Sequence, residues 1–362
     1  MSVLGAMRLA GSIPLADPAV DRDQRLSRRA LIALGLGAGA ALAGCGASTV
    51  QLTRPPRALP GLKIGLSLPD RGAVSLCTAS GVARALAGTG AVLVARDAGG
   101  SALREVTNIE SLAADERVAG LVAVPLSFTA TRKASRVVHH EGVEVASTFM
   151  PDPGTAVRVF AGWGDARDTQ GGMLIGAWLA RTLPGGGEVA VVQGPTDQGP
   201  TQRLDSGLDV ALAAAPRLTL VARGAGDGDP LQAVQLVETM LAEHPRTRAI
   251  VSYDPAMGAA IAGRLQALRR SDIVHVSSGA DLDTARWLRT PYLRAVRWFS
   301  PAELGFQAGI VVRESITQGK RLLDPPGRPV AQEMRTAGEL AGAPIPCFTE
   351  QLGAVRAALA AA

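Results

Sequence analysis

From Leu62 to Gln318 the chain alternates between short apolar runs and longer helical segments. Leu62–Pro69 (LKIGLSLP), Ala91–Asp97 (AVLVARD), Val118–Pro125 (VAGLVAVP) and Val143–Phe149 read as strands. Between them, Val74–Leu86, Ser101–Ala114 and Thr129–His140 read as helices, with Gly81 interrupting the first and Ser101 placed to cap the second. Strands that are apolar throughout must be covered on both faces. Helices inserted between such strands give βαβ units and a parallel sheet.

The pattern then runs a second time. Arg158–Gly164, Glu188–Gly194, Leu218–Arg223, Thr247–Asp254, Asp272–Gly279 and Tyr292–Phe299 are the expected strands. The expected helices are Asp168–Leu183, Thr201–Ala214, Pro230–His244, Ala256–Arg269, the short Leu282–Arg289, and Ala302–Gln318. In Pro230–His244 the apolar period puts Leu231, Val234, Val237, Met240 and Leu241 on the buried side. Pro325, Pro326 and Pro329 end the alternation, and Gln351–Ala361 is a candidate terminal helix. Two successive series predict an α/β fold of two doubly wound parallel-sheet lobes. Ligands of such sheets sit at the carboxyl ends of the strands, so two facing edges make a cleft suited to hinge closure.

Upstream, Ser27–Cys45 (SRRALIALGLGAGAALAGC) joins a positive start to an apolar run and small residues, the order of a secretion signal. The run is shorter than the about 20 residues that span a bilayer. Leu42-Ala43-Gly44-Cys45 resembles a bacterial lipobox, which implies lipidation at Cys45; an ordinary signal peptide with a chance cysteine is the alternative. Ser27-Arg28-Arg29-x-Leu31-Ile32 resembles the twin-arginine (Tat) export motif. Export implies a periplasmic or envelope location and disfavours ATP, reduced nicotinamides and DNA as partners. The net charge of +5 comes with no dense basic run interleaved with aromatics, so no nucleic-acid footprint is read. Beyond Cys45, Cys77 and Cys347 are either a disulfide or two buried thiols. Val50–Pro60, with three prolines, reads as a tether.

These elements together resemble the ribose-binding-like branch of the type I periplasmic binding proteins over Leu62–Arg321. The landmarks are LKIGLSLPD, VAGLVAVP before a helix, Gln170-Gly171-Gly172 opening a helix, Arg203 four residues before Gly207, and EHPRTRAIVSYDPAMGAAIAGRLQAL. The resemblance implies two lobes joined by a hinge of three crossings. It divides the chain into a signal (1–45), a tether (46–61), a first lobe (62–164 plus 300–325) and a second lobe with tail (165–299 plus 326–362). It also implies a monomeric receptor without cofactor, metal or catalytic residues. Such a receptor holds a small molecule, usually a sugar, for an ABC permease or for a membrane sensor kinase.

By register, the ligand-facing candidates are Asp70, Arg71, Thr148, Phe149, Trp163, Asp165, Arg203, Tyr253, Asp254, Ser278, Asp281, Trp298 and Phe299. Asp70, Asp165 and Asp254 serve equally as helix caps. Arg203 is otherwise a solvated helix residue, and Trp163, Tyr253 and Trp298 are otherwise packing residues. The sequence departs from the family's sugar sites at three places. Thr148-Phe149 stands where pentose binders carry Asp-Arg, Tyr253 stands where Asn is usual, and Ser278 replaces an Asp. Arg203 with Trp163, Tyr253 and Trp298 would suit an anionic or planar solute. No nucleophile, zinc or phosphate-loop motif occurs. GAGDGD at 224–229 reads as a loop capping the next helix, and alternation puts His275 and Ser278 on opposite faces of their strand.

Overall fold

The computed structural model describes residues 51–53, 55–148, 157–160, 166–194, 196, 199–322, 328–339 and 347–361. The signal with Cys45, and the candidates Phe149, Trp163 and Asp165, lie outside the described residues. Among those described, no helix is long and apolar enough to cross a membrane.

The first sheet is built from β2 (Lys63–Leu68), β3 (Val92–Asp97), β4 (Gly120–Ala123), β5 (Glu144–Thr148), β6 (Val157–Phe160) and the late strand β13 (Arg328–Pro329). Their order is β13-β6-β5-β4-β2-β3, and all pairs are parallel. Helices α1 (Ala73–Leu86) and α9 (Pro301–Gln318) cover one face through Val82, Leu304, Ala308 and Val312. Helices α2 (Ala102–Ala114) and α3 (Phe128–His140) cover the other through Ile109, Leu112, Ala134 and Val138. Ser101 caps α2 as expected, accepting the Arg104 N–H.

The second sheet comprises β7 (Gly187–Gln193), β8 (Leu218–Ala225), β9 (Thr247–Ser252), β10 (Val274–Ser278), β11 (Ala295–Trp298) and β14 (Glu333–Arg335). Their order is β14-β11-β10-β9-β7-β8, with only β14 antiparallel to its neighbour. Helices α4 (Ala166–Thr182) and α5 (Gly199–Ala213) bury Ile175, Leu179, Leu204 and Leu208 on one face. On the other face lie α6 (Pro230–Glu243) and α7 (Pro255–Ala267), with Val237, Met240, Met257 and Ile261. A short helix, α8 (Leu282–Trp287), follows β10. Asp229 ends the 224–229 loop and caps α6 by accepting from Leu231 and Gln232 N–H. One apolar assignment differs from the sequence reading. Leu231 is 67% exposed, because the buried face of α6 is set by Ala233, Val237, Met240 and Leu241.

Glycines join one helix pair in each lobe. A methyl group on Gly81 of α1 would stand 1.9 Å from the Ala302 carbonyl oxygen, and one on Gly305 of α9 would stand 1.8 Å from that of Thr78. The second lobe repeats the device. A methyl group on Gly172 of α4 would stand 2.1 Å from the Leu204 carbonyl oxygen, and one on Gly207 of α5 would stand 1.9 Å from that of Thr169. Gly81 therefore does not break α1. It lets another backbone approach, and the helix runs through it.

The tail divides between the lobes rather than joining the second one. β13 pairs with β6 and β14 with β11, so Val330–Gln332 crosses between the lobes, as 299–300 does. The final helix α10 (Leu352–Ala360) buries Val355 and Leu359 in the first lobe's core beside α1. Those two residues, one turn apart, need an apolar surface, and a Cys77–Cys347 disulfide holds the segment there. The expected tether is partly docked as well. Its strand β1 (Gln51–Thr53) pairs antiparallel with β12 (Lys320–Leu322), and Leu59 is buried in the core.

Gly305→Ala is expected to destabilise the protein by about 3 kcal/mol, the upper end for overpacking, because the obstruction is backbone. Gly353, with nothing within 4 Å of its missing Cβ, is the control, and Gly353→Ala should leave stability unchanged or slightly higher. Urea denaturation of the two variants makes the comparison.

Candidate functional site

Both sheets reverse their winding at an inner strand, between β2 and β4 in the first and between β7 and β9 in the second. A cavity of about 450 Å³ opens where the loops beyond these carboxyl edges meet. The first lobe contributes Pro69, Asp70 and Gly72 after β2, the first turn of α1, and Val124–Leu126 after β4. The second contributes Asp254 and Pro255 after β9, and Ser278 to Asp281 after β10. Phe299 and Pro301, at the crossing into α9, complete the wall. The volume falls within the range of small-molecule sites, and the mix of apolar surface with a few polar groups is typical of them.

Each loop is held by a side chain at a helix start. Asp70 Oδ1 accepts the Gly72 N–H and the Ser75 hydroxyl, both at 2.7 Å. Asp254 Oδ1 accepts the Met257 N–H at 3.0 Å, which caps α7. Asp281 forms a capping box with Thr284 on α8. At Asp254 the two readings, cap and cleft residue, coincide in one side chain, whereas Asp70 is not the cap of α1: that position is Gly72, whose N–H Asp70 holds. Burial first, and then the nearby Asp281 charge, push the Asp254 carboxyl above its ordinary value, against the lowering effect of the Met257 and Ala256 N–H groups.

Two further groups shape the wall from behind, and no motif announces either. Fully buried Glu105 on α2 accepts the N–H groups of Leu126 and Ser127 at 2.7 and 3.0 Å, fixing the loop after β4. Arg297 on β11, also fully buried, donates from Nε to Ser278 Oγ at 2.9 Å. An acid in a helix and an arginine in an apolar strand carry no spacing signal of their own.

The cavity wall brings together Asp70, Asp254, Ser278, Asp281 and Phe299 from the sequence candidates. The other described candidates sit elsewhere. Arg71 extends outward and pairs with Asp97 at 2.7 Å. Thr148 is buried, its hydroxyl 3.4 Å from the Ala123 carbonyl. Arg203 Nε donates to buried Asp168 at 3.2 Å. Tyr253 is buried in the second lobe and donates to Asp205 at 2.7 Å. Trp298 packs beside Cys77, with the Arg335 guanidinium 5.1 Å from its ring centre. Arg203, Tyr253 and Trp298 thus do not form the expected clamp for an anionic or planar solute. Among the described wall residues the charges are carboxylates alone. Also among the described residues, no group of three or more His, Cys, Asp or Glu side chains is placed to hold a metal ion.

His275, buried under this edge, is part of the support. Its Nδ1 lies 3.1 Å from the Tyr292 carbonyl, which only accepts, so Nδ1 carries the proton and Nε2 accepts from Ser252 Oγ at 3.2 Å. Burial lowers its pKa to about 4, partly opposed by the bond to Tyr292.

A sequence profile described as "Periplasmic binding protein domain" matches residues 67–320. No curated protein matches the chain by sequence. Solved structures share the fold. An ABC transporter solute-binding protein from Burkholderia graminis, in complex with D-arabinose, superposes with a TM-score of 0.68 at 17% identity, over 79% of this chain and 99% of its own. GanP, a glucose-galactose binding protein from Geobacillus stearothermophilus, gives 0.69 at 17% identity over 78% and 99%. A XylFII-LytSN complex gives 0.64 at 16% identity over 77% and 99%.

Glu105→Gln replaces an acceptor with a group that can satisfy only one of the two N–H donors. It is expected to cost about 2–3 kcal/mol and to speed amide exchange at Leu126 and Ser127 in particular. For His275, the unfolded chain takes up a proton near pH 6.5 and the native one only near pH 4. Stability is therefore lost as pH falls across that window, by on the order of 3 kcal/mol in full, and is untouched above it. Denaturation at pH 7 and pH 5 should show the loss, and His275→Gln should reduce it.

Proposed function

The chain belongs to the periplasmic binding protein family, and on that premise we propose that it is an extracytoplasmic, lipid-anchored receptor that captures a sugar-like solute for an ABC permease. The observation that carries the reading is the cavity itself, walled by loops of both sheets and by the segment that crosses between them. The sugar ligands of the Burkholderia and Geobacillus proteins support the solute class.

The wall chemistry agrees. Asp70, Asp254 and Asp281 each use Oδ1 for a helix start, and their carboxylates accept hydrogen bonds from solute hydroxyls. Phe299 and the prolines cover apolar ring faces. The same three charges repel an anion. A solute touching both lobes favours the closed arrangement by its additional contacts there, and this population shift is the signal passed on. No bond is made or broken, and the protein acts as a monomer without cofactor. Leu42-Ala43-Gly44-Cys45 supplies the anchor, with the lipid on Cys45 and the twin-arginine segment directing export. The likeness to the XylFII-LytSN complex supports a second reading, in which the closed form is presented to a membrane sensor kinase.

Calorimetry of the full chain in detergent with neutral sugars, polyols, amines and carboxylates tests this. A neutral sugar at a hundredfold excess over its dissociation constant should stabilise the protein by about 2.7 kcal/mol. Asp281→Asn keeps a residue able to cap α8 but removes the charged acceptor, so it should weaken sugar binding about tenfold with little change in stability. Absence of any shift with sugars and polyols would defeat the proposal, as would carboxylates being the solutes that bind.

A further inference from the structure

Arg297 occupies a position that packing alone does not favour. It lies on β11 between Val296 and Trp298 with its side chain wholly buried. A buried guanidinium carries a large desolvation cost, and an apolar residue of similar volume is often equally stable or more so. What Arg297 touches gives the reason for its presence. Nε donates to Ser278 Oγ at 2.9 Å, and Ser278 is part of the cavity wall. Nη1 donates to Gln332 Oε1 at 2.8 Å, and Gln332 stands on the crossing between β13 and β14. The N-terminal part of α4 lies against the same nitrogen. A methyl group on Gly171 would stand 2.3 Å from Nη1 and 3.0 Å from Gln332 Oε1. Buried Asp168, three residues earlier in α4, supplies the charge that opposes the desolvation of the guanidinium. β11 itself runs through Trp298 directly into a second crossing at Phe299 and Ser300.

One rigid fork therefore meets the crossing at Gln332, the N-terminal part of α4 and the cavity wall, while among the described residues its buried Nη2 has no hydrogen-bond partner. We infer that Arg297 is a positioning residue that fastens the crossing at Gln332 and the N-terminal part of α4 to the cavity wall at Ser278, so that the angle between the lobes and the geometry of the wall are set together. Lysine cannot substitute. A single ammonium lacks the planar fork that addresses Ser278 and Gln332 in different directions. The two N–H groups of Nη2 give the fork further bonds to make when the crossings shift.

The coupling to solute rests on the proposed function, whereas the fastening does not. Its test is a distance between the lobes in the solute-free full chain. Spin labels are placed at two exposed positions, Leu103 on α2 and Leu231 on α6. The parent should give one narrow distribution. Gln332→Leu, which removes one arm at a half-buried position, should broaden it, and Arg297→Met should broaden it further even where its melting temperature is unchanged or higher. Arg297→Lys should not restore the parent distribution. Sugar affinity, measured separately, should fall about tenfold in Arg297→Met. A narrow parental distribution in both Gln332→Leu and Arg297→Met overturns the inference, whatever their melting temperatures. Should Arg297→Met fail to fold, Gln332→Leu decides alone. Because the distances are read without solute, failure of the sugar reading leaves this test standing.

Discussion

Two places where helix backbones touch without intervening side chains hold this architecture in register. α9 enters the first lobe after the chain has built most of the second, and it docks on α1 because Gly81 and Gly305 each face the other helix's carbonyl. The contact fixes more than a core. The first turn of α1 and Pro301 at the start of α9 are both cavity wall, so the spacing of these two helices sets one side of the cavity. In the second lobe, Gly172 and Gly207 bring α4 and α5 equally close, which places Arg203 of α5 on Asp168 of α4. A side chain at any of these glycines would separate helices on whose closeness the loops depend.

The polar groups near the cavity follow one economy. A helix start leaves N–H groups without partners, and an aspartate there satisfies them while keeping a second oxygen. Asp254 and Asp281 each hold a loop in this way, Asp70 holds its loop through the Gly72 N–H and the Ser75 hydroxyl, and all three line the cavity. The helix N–H groups also make a partly buried carboxylate tolerable in company, as at Asp254 beside Asp281. Loop order and site chemistry are thus carried by the same atoms, and the wall needs little adjustment to receive a polar solute.

Much of this was readable from the residues in order. Apolar runs of strand length, separated by helical periods, identified both series of elements, and local capping chemistry at Ser101 and Asp229 agreed with the helix starts. Four candidates on strand-exit loops, Asp70, Asp254, Ser278 and Asp281, reached the cavity, as did Phe299, because strand ends in doubly wound sheets converge there. Arg203 and Tyr253 did not, because each had a partner across a helix contact, Asp168 and Asp205, that no spacing in the chain reveals. Leu231 followed the apolar period of its helix and still faced outward, since the buried face of α6 is set by Ala233, Val237, Met240 and Leu241.

By itself, the sequence determined the class of element through both series and the doubling of the βα pattern. These are local properties, written in periods of two and 3.6 residues and in the chemistry of short motifs. Only the tertiary structure decided that Cys77 meets Cys347, that the tail returns to the first lobe through α10, and that Arg297 bridges Ser278 and Gln332. Each of those depends on the distance between residues far apart in the chain. That distance is set by how closely two backbones pack, which local periodicity does not encode.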